Sequence, residues 1–241
     1  MKKLVVMIPC YNEEKGIGSV IDNIPRQKLR KLGFKTHVLV VDNNSKDRTA
    51  EIAKSKGAKV IKETKQGKGY AIRKGFKNIP KDMDVVAMID GDSSYDIKEL
   101  PRLLEPLENK FADVIVGTRL NGRIENNSMP YFNRAGNWLF TFLARIGYNT
   151  NVLDVCSGFF AWKKDVIENL SKYLESDGFS IEMEMITKMA RMNYACYSVP
   201  ISYNSRSGKS SLRPIKDGVS ILHAWGRNLK WKPKTIPRKK I

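Results

Sequence analysis

Residues 85–94 read VVAMIDGDSS, and this stretch decides the fold. Five apolar residues, 85–89, run straight into Asp90-Gly91-Asp92. An unbroken apolar run of that length fits a strand buried on both faces, as in a parallel sheet covered by helices. The same signature stands twice upstream: Leu4-Val5-Val6-Met7-Ile8 closes on Pro9, and Val38-Leu39-Val40-Val41 ends in Asp42-Asn43-Asn44-Ser45. Shorter strands are expected at Val60-Ile61 and Val114-Ile115-Val116. Helical patterns separate the runs. Ile17, Val20, Ile21 and Ile24 keep helical spacing up to Pro25. A second helix over 48–56 has Asp47 as its cap and Gly57 as its terminator, a third carries Ala71, Ile72 and Phe76 after Gly67 and Gly69, and a fourth lies near 97–107. This β-α-β rhythm predicts an α/β fold with a doubly wound, mostly parallel sheet. Ligands of such sheets bind beyond the carboxyl ends of the strands. The polar clusters at 9–14, 42–47 and 90–94 should therefore converge on one edge.

The second half is less regular. Residues 121–130 read as a polar loop, and 131–147 as a helix dense in Tyr131, Phe132, Trp138, Leu139, Phe140, Phe142 and Leu143. Residues 154–163 (DVCSGFFAWK) read as a loop entering a short strand. A helix is expected over about 180–193, two short strands at 196–199 and 201–203, and a loop at 205–211. The last helix, about 215–231, steps Ile215, Val219, Leu222, Trp225 and Leu229 by three and four. That stripe either packs on the core or lies on a membrane. No repeat or linker is visible. The expected organisation is one domain over 1–213, an amphipathic helix over 214–231 and a basic tail over 232–241.

Composition narrows the function. The 241 residues are 41% hydrophobic, 28% charged and 9% aromatic, which is globular and argues against disorder. Lys and Arg total 43 against 25 Asp and Glu, a net charge of +18. That field favours an anionic partner: nucleic acid, an anionic membrane surface or a phosphorylated substrate. No zinc pattern, RNP-type aromatic motif or helix-turn-helix accompanies it, which argues against nucleic acid. Cys10, Cys156 and Cys196 are odd in number and far apart. They fit neither a disulfide framework nor a zinc site, so a reducing cytoplasm is expected. The apolar run at 4–8 is too short for a secretion signal, and nothing reaches the roughly 18 apolar residues of a membrane span.

Several residues can carry chemistry. Asp90 and Asp92, one residue apart at a strand end, can both face a hard cation such as Mg²⁺ or Mn²⁺. The bland alternative is an ordinary Asp-Gly turn. Asp42 ends a buried strand and can accept from a nucleotide base or ribose. Gln66-Gly67-Lys68-Gly69-Tyr70 resembles a phosphate-cradling loop but lacks its full pattern. Arg119, Arg134, Arg206 and Lys209 stand in polar contexts near Gly or Ser, where guanidinium forks suit phosphate oxygens and solvated charges are equally at home. Glu182 and Glu184, two apart on a helix, point to different faces, so at most one faces a site and the plain expectation is that both are solvated. His37 and His223 are too isolated to ligate a metal.

Taken in order, Pro9-x-Tyr11-Asn12-Glu13-Glu14, VVDNNSKDRT (40–49), Gly67-Lys68-Gly69, Asp90-x-Asp92, VGTR (116–119), CSGFF (156–160) and RSGKSSL (206–212) resemble a family 2 glycosyltransferase of the GT-A fold. Within it they are most similar to the polyprenyl-phosphate (dolichyl-phosphate) hexosyltransferases. The resemblance spans nearly everything up to about residue 213. It implies a Rossmann-like GT-A sheet and a role for each matching position. Pro9, Tyr11, Glu13 and Asp42 line the nucleotide pocket. Asp90 and Asp92 carry the Mg²⁺ or Mn²⁺ that holds the donor diphosphate, Gly91 allows close backbone approach, and Ser94 adds a ligand-side contact. Arg119, Arg134 and Arg206 hold donor and acceptor phosphates. The chain departs from the pattern at Asn43-Asn44, where the family often has Asp-Gly. Ser94 stands where the mannosyl branch has Gln. Ser210-Ser211 replace a Ser-Lys pair, for which Lys209 can substitute. Tyr95-Asp96 resembles branches using UDP-sugars, which favours UDP-N-acetylglucosamine or UDP-glucose over GDP-mannose.

The implied reaction suits the residues. A lipid phosphate is already largely ionised near neutral pH and needs no strong base. It needs charge neutralisation and positioning, which a metal and arginines supply. In-line displacement inverts the anomeric centre. The expectation is a peripheral enzyme on the cytoplasmic face of a membrane, working in glycan assembly such as protein glycosylation. Competing readings are a transferase with a sugar or protein acceptor, with Glu182 as its base, a nucleic-acid-binding module, and an inactive nucleotide-sugar-binding scaffold.

Overall fold

A computed structural model describes residues 1–208 and 210–234. The strands are β1 (Lys2–Cys10), β2 (Phe34–Asp42), β3 (Lys59–Lys62), β4 (Val85–Met88), β5 (Val114–Ile124), β6 (Phe160–Lys163) and β7 (Cys196–Tyr203). The helices are α1 (Ile17–Asp22), α2 (Arg26–Lys31), α3 (Thr49–Ser55), α4 (Lys68–Lys77), α5 (Leu100–Glu108), α6 (Tyr131–Tyr148), α7 (Lys164–Leu170), α8 (Ile181–Arg191) and α9 (Pro214–Leu229). The strands form one sheet in the order β3-β2-β1-β4-β6-β5-β7. Every pairing is parallel except those of β6, which runs against both β4 and β5.

The unbroken apolar runs follow from this arrangement. In β1, Val5 and Met7 face one core and Leu4, Val6 and Ile8 the other, so each successive side chain needs to be apolar. Helices α1, α2, α3 and α5 cover one face, and α4, α6, α7, α8 and α9 contribute to the core on the other. The doubly wound α/β sheet expected from the sequence is the one that forms.

Four local expectations change. Residues 121–124 belong to β5 rather than to a loop, because β5 resumes pairing with β7 after an irregularity between Thr118 and Arg123. Gly122 permits it, since a Cβ there would lie 1.9 Å from the Ile201 carbonyl oxygen. The two short strands near 196–203 are one strand that passes through Pro200. β7 is an edge strand, where a missing N–H is tolerated. The short helices α2 and α7 were not anticipated. The apolar stripe of the last helix does not pack as a unit. Its core side is Ile221, Ala224 and Asn228, whereas Ile215 and Val219 are 78% and 63% exposed and Leu222 is exposed too. The basic tail falls mostly on 235–241, which with Lys209 lie outside the described residues.

Candidate functional site

The ends of β1, β2 and β4 stand side by side, with Cys10 in register with Asp42 and Met7 with Met88. The segments after β1 and β2 are laced together, and Ser93 Oγ after β4 donates to the Gly16 carbonyl at 3.0 Å. Asn12 N donates to Ser45 Oγ (3.0 Å), Glu13 N to Thr49 Oγ1 (2.8 Å), Glu14 N to Asp47 Oδ2 (3.1 Å), and Lys46 N to Asn12 Oδ1 (2.8 Å). Asp47 Oδ1 also accepts from Thr49 N, but it stands one residue before the N-cap of α3, which is Arg48, and that cap carries no side-chain hydrogen bond. Pro9 is buried in β1, Tyr11 is half-buried beyond it, and Asp42 is buried with Oδ1 accepting from Ser45 N at 3.2 Å. Asn43 explains one departure from the family pattern. Its amide donates to the Lys65 carbonyl (2.7 Å) while its oxygen accepts from Gly67 N (2.7 Å). A carboxylate can only accept, so it cannot replace the first of these bonds.

Gly67 and Gly69 are shaped by protein rather than by phosphate. Gly67 has φ +147°, and a Cβ at Gly67 or Gly69 would lie 2.3 or 2.1 Å from the Asp177 or Ser176 carbonyl oxygen. The Tyr70 amide in the first turn of α4 already donates to Asp177 O at 3.3 Å. The segment 175–176 is held in turn by Glu184, which accepts from both backbone amides and pairs with Lys188 Nζ at 2.6 Å.

The acidic turn after β4 is packed on all sides. A Cβ on Gly91 would lie 2.6 Å from Cys10 Sγ, and one on Gly16 2.6 Å from the Gly91 carbonyl oxygen. The close approach at Gly91 is therefore to the protein's own core. A Cβ on Gly158, in the CSGFF segment, would lie 2.1 Å from Asp90 Oδ2. Asp90 ion-pairs with Lys68 Nζ, at 2.8 Å from Oδ1 and 3.0 Å from Oδ2. Lys68 Nζ also lies 2.7 Å from Glu182 Oε1. Burial opposes the charge on Lys68, but Asp90 and Glu182 more than offset it, so its pKa lies above the ordinary lysine value. Two acids share that one ammonium, and burial raises the pKa of both Asp90 and Glu182.

Asp92 is differently placed. Its Oδ1 accepts from the Ser94 amide (2.9 Å) and the Ser94 hydroxyl (2.5 Å). Its Oδ2 pairs with Arg206 Nη2 at 2.9 Å. The same Nη2 lies 3.4 Å from Glu13 Oε1. Burial, followed by the nearby Asp92 charge, pushes the Glu13 carboxyl up to about 8, with Arg206 opposing.

These positions correct several expectations. Ser94 is buried and orients Asp92 rather than facing a ligand. Arg119 is buried, and its Nε and Nη2 engage Asp154 bidentately at 2.7 and 2.8 Å, with its ring-facing contacts on Tyr95 and Tyr203. That fork is not free to hold a phosphate. Arg134 is exposed in the first turn of α6, and no hydrogen bond or ion pair joins it to Asp90, Asp92 or Glu13. Lys209 is outside the described residues. Glu182 and Glu184 are both buried, contrary to the solvated reading, because α8 lies in the core layer. The sequence patterns assign no role to Lys68, Asp154, Gly16 or Gly158, although Lys68 lies within Gly67-Lys68-Gly69 and Gly158 within CSGFF.

The residues fit a hard divalent cation of the Mg²⁺ or Mn²⁺ kind. Glu13, Asp90 and Asp92 lie together, and among the described residues Lys68 and Arg206 are the cations that pair with them. Among the described residues no cluster of three or more His, Cys, Asp or Glu forms a complete ligand set. Such ions are usually held by one or two carboxylates plus water and substrate phosphates. Asp92 Oδ2 is the better-placed ligand, because both Asp90 oxygens face Lys68.

The family model described as Glycosyl transferase family 2 matches residues 5–171. The low-salt glycan biosynthesis hexosyltransferase Agl6 of Haloferax volcanii is 35% identical over 216 residues, which are 89% of this chain and 51% of that protein. This chain therefore spans about half the length of that relative. The dolichyl-phosphate hexose transferase of the same organism is 34% identical over 218 residues, 90% of each chain. A glucosyl-3-phosphoglycerate synthase from Mycobacterium tuberculosis, solved with Mn²⁺, UDP and glucosyl-3-phosphoglycerate, superposes with a TM-score of 0.72 at 20% identity, over 95% of this chain and 80% of that one.

Proposed function

We propose, on the premise that this chain belongs to glycosyl transferase family 2 and has its GT-A fold, that it transfers a sugar from a nucleotide-diphosphate sugar to a polyprenyl phosphate, with inversion. The observation that carries this is the pairing of Asp92 with Arg206 at the joined ends of β1, β2 and β4. It sets a cation ligand beside a phosphate-binding fork. A divalent metal held on Asp92 supplies charge neutralisation for the leaving diphosphate. Glu13, Tyr11 and Asp42 frame the nucleotide side, and Lys68 holds Asp90 and Glu182 together. The alternative with a sugar or protein acceptor needs a base. Glu182 is poorly suited, since its Oε1 already faces Lys68. A lipid phosphate needs none.

A lipid acceptor is further supported by α6 and α9. The two helices are joined by Trp225 Nε1 donating to the Leu143 carbonyl at 2.9 Å. They leave Tyr131, Phe132, Trp138, Phe142 and Ile146 on α6, and Ile215, Val219 and Leu222 on α9, exposed. Arg134, Arg145 and Lys216 on the same helices add positive charge. Apolar and basic helix surfaces of this kind bind anionic interfaces. Among the described residues no helix is long and apolar enough to cross a membrane. The reading is attachment to the cytoplasmic face, where the three unpaired cysteines are stable. The donor is UDP-N-acetylglucosamine or UDP-glucose, and the product feeds glycan assembly.

The experiment offers UDP-N-acetylglucosamine, UDP-glucose and GDP-mannose, with Mg²⁺ or Mn²⁺, to anionic liposomes carrying polyprenyl phosphate and, in parallel, to free sugars and peptides. Transfer to the lipid and co-sedimentation with the vesicles are expected. Transfer to sugars or peptides with none to the lipid overturns the reading.

A further inference from the structure

The Asp92 carboxylate has one oxygen to offer outward. Oδ1 is engaged twice by Ser94. Oδ2 remains, and Arg206 Nη2 lies on it at 2.9 Å. A divalent cation that uses Asp92 therefore lands on the oxygen that already accepts from the guanidinium, at a metal–oxygen distance of about 2.0–2.6 Å. Two positive groups cannot share that oxygen without strong repulsion. Resting on the reading that Asp92 holds the donor's metal, we propose that Arg206 is a displaceable counter-ion: it occupies the Asp92–Glu13 carboxylates in the free protein and passes to the phosphate oxygens of the bound substrates when the ion arrives.

The surroundings favour an exchange of side-chain position over an opening of the loop. Asn204 N donates to Ser94 O (2.7 Å) and Ser207 N to Asp92 O (2.9 Å), so the backbone is tied to the acidic turn on both sides of Arg206. Ser205 N donates to Glu125 Oε2 at 2.7 Å. The guanidinium itself is seated incompletely. Its Nε is buried without a hydrogen-bond partner, and one nitrogen serves both carboxylates. A fork with an idle donor gains bonds on moving to a phosphate, which accepts in a bidentate manner. Its side chain is 30% exposed, so the space needed for that movement opens to solvent.

The test measures Mn²⁺ binding to the protein without nucleotide, by electron paramagnetic resonance, for the unaltered chain, Arg206→Gln and Asp92→Asn. Removing a competing ion pair should tighten Mn²⁺ binding in Arg206→Gln by about fivefold. A residue acting only as a substrate ligand or structural strut leaves Mn²⁺ affinity unchanged or weaker, and either result overturns the proposal. Asp92→Asn checks the reading beneath it. If it binds Mn²⁺ like the unaltered chain, Asp92 is not the metal holder and both fall. If it loses Mn²⁺ while Arg206→Gln matches the unaltered chain, only the counter-ion role falls. A second variant keeps the test independent of one substitution: Arg206→Met, which removes the charge and keeps much of the side-chain bulk, should tighten Mn²⁺ binding to a similar degree, and an unchanged affinity there also overturns the proposal.

Discussion

Arg119 and Arg206 resemble the same family feature, yet their surroundings differ in kind. Arg119 ends the regular part of β5 and is 6% exposed, with Nε, Nη2 and its backbone amide all donating to a fully buried Asp154. Arg206 stands in a loop, touches two carboxylates through one nitrogen and leaves its Nε without a partner. The first is a closed ion pair whose carboxylate makes no second salt bridge among the described residues. The second is an open one whose partners can accept a different cation. An arginine's fitness to bind substrate is therefore decided by how fully its fork is already satisfied.

The largest effect should come from breaking the closed pair. Asp154→Ala leaves the Arg119 charge buried and uncompensated, which costs about 3–5 kcal/mol. Thermal unfolding should then fall by roughly 10 °C. A loss below about 1 kcal/mol would show that water reaches Arg119 and that the contrast between the two sites is weaker than drawn.

The open pair should reveal itself through pH. Glu13 has a folded value of about 8 against an ordinary 4.5. It is faced by Asp92, Asp90 and Asp47, with Arg206 opposing. Between those values the folded protein binds more protons than the unfolded chain, so stability falls as pH rises from about 4.5 to 8 and the loss is complete above that. Unfolding free energies from urea titrations in EDTA should drop across this window by on the order of 2 kcal/mol, reduced by Glu13's partial exposure. Glu13→Gln should flatten the slope. An unchanged slope in that variant means that other groups carry it.

The smallest effect on stability is expected at Arg206 itself. Arg206→Lys keeps the charge and loses the fork, so stability should move by less than about 1 kcal/mol. The apparent KM for polyprenyl phosphate should nevertheless rise more than that for the donor. The reverse split places Arg206 on the donor side.

The frame of this site was readable in the sequence because buried parallel strands are written as unbroken apolar runs. Each such run at β1, β2 and β4 is followed by its polar cluster. What could not be read was which charge meets which. Asp154 reaches Arg119 across 35 residues, and Lys68 joins Asp90 and Glu182 only once α4, β4 and α8 have packed. The burial of both glutamates on α8 has the same origin. A helix in a core layer hides faces that spacing alone assigns to solvent. In α9 the three-and-four stepping marks one row of apolar residues whose later member Trp225 packs on the core, while its earlier members Ile215, Val219 and Leu222 are exposed and Ile221, Ala224 and Asn228 are the buried row.

The reversal of β6 has a practical use. Because Phe160 pairs with Met88 and Lys163 with Val85, the chain enters the sheet at the rim holding the acidic turn and leaves at the opposite rim. Segments 82–84 and 163–164 therefore meet on the far side, where Lys164 N donates to the Asp84 carbonyl. That rim is a strand's length of about 13 Å or more from the chemistry. Asp82 there is exposed, whereas Cys10 and Cys196 are buried and Cys156 is half-buried. A dye coupled to an introduced thiol at Asp82→Cys marks the molecule selectively. It reports tumbling or vesicle attachment while staying silent to donor binding, which makes it a suitable reference fluorophore for a second label near the RSGKSS loop.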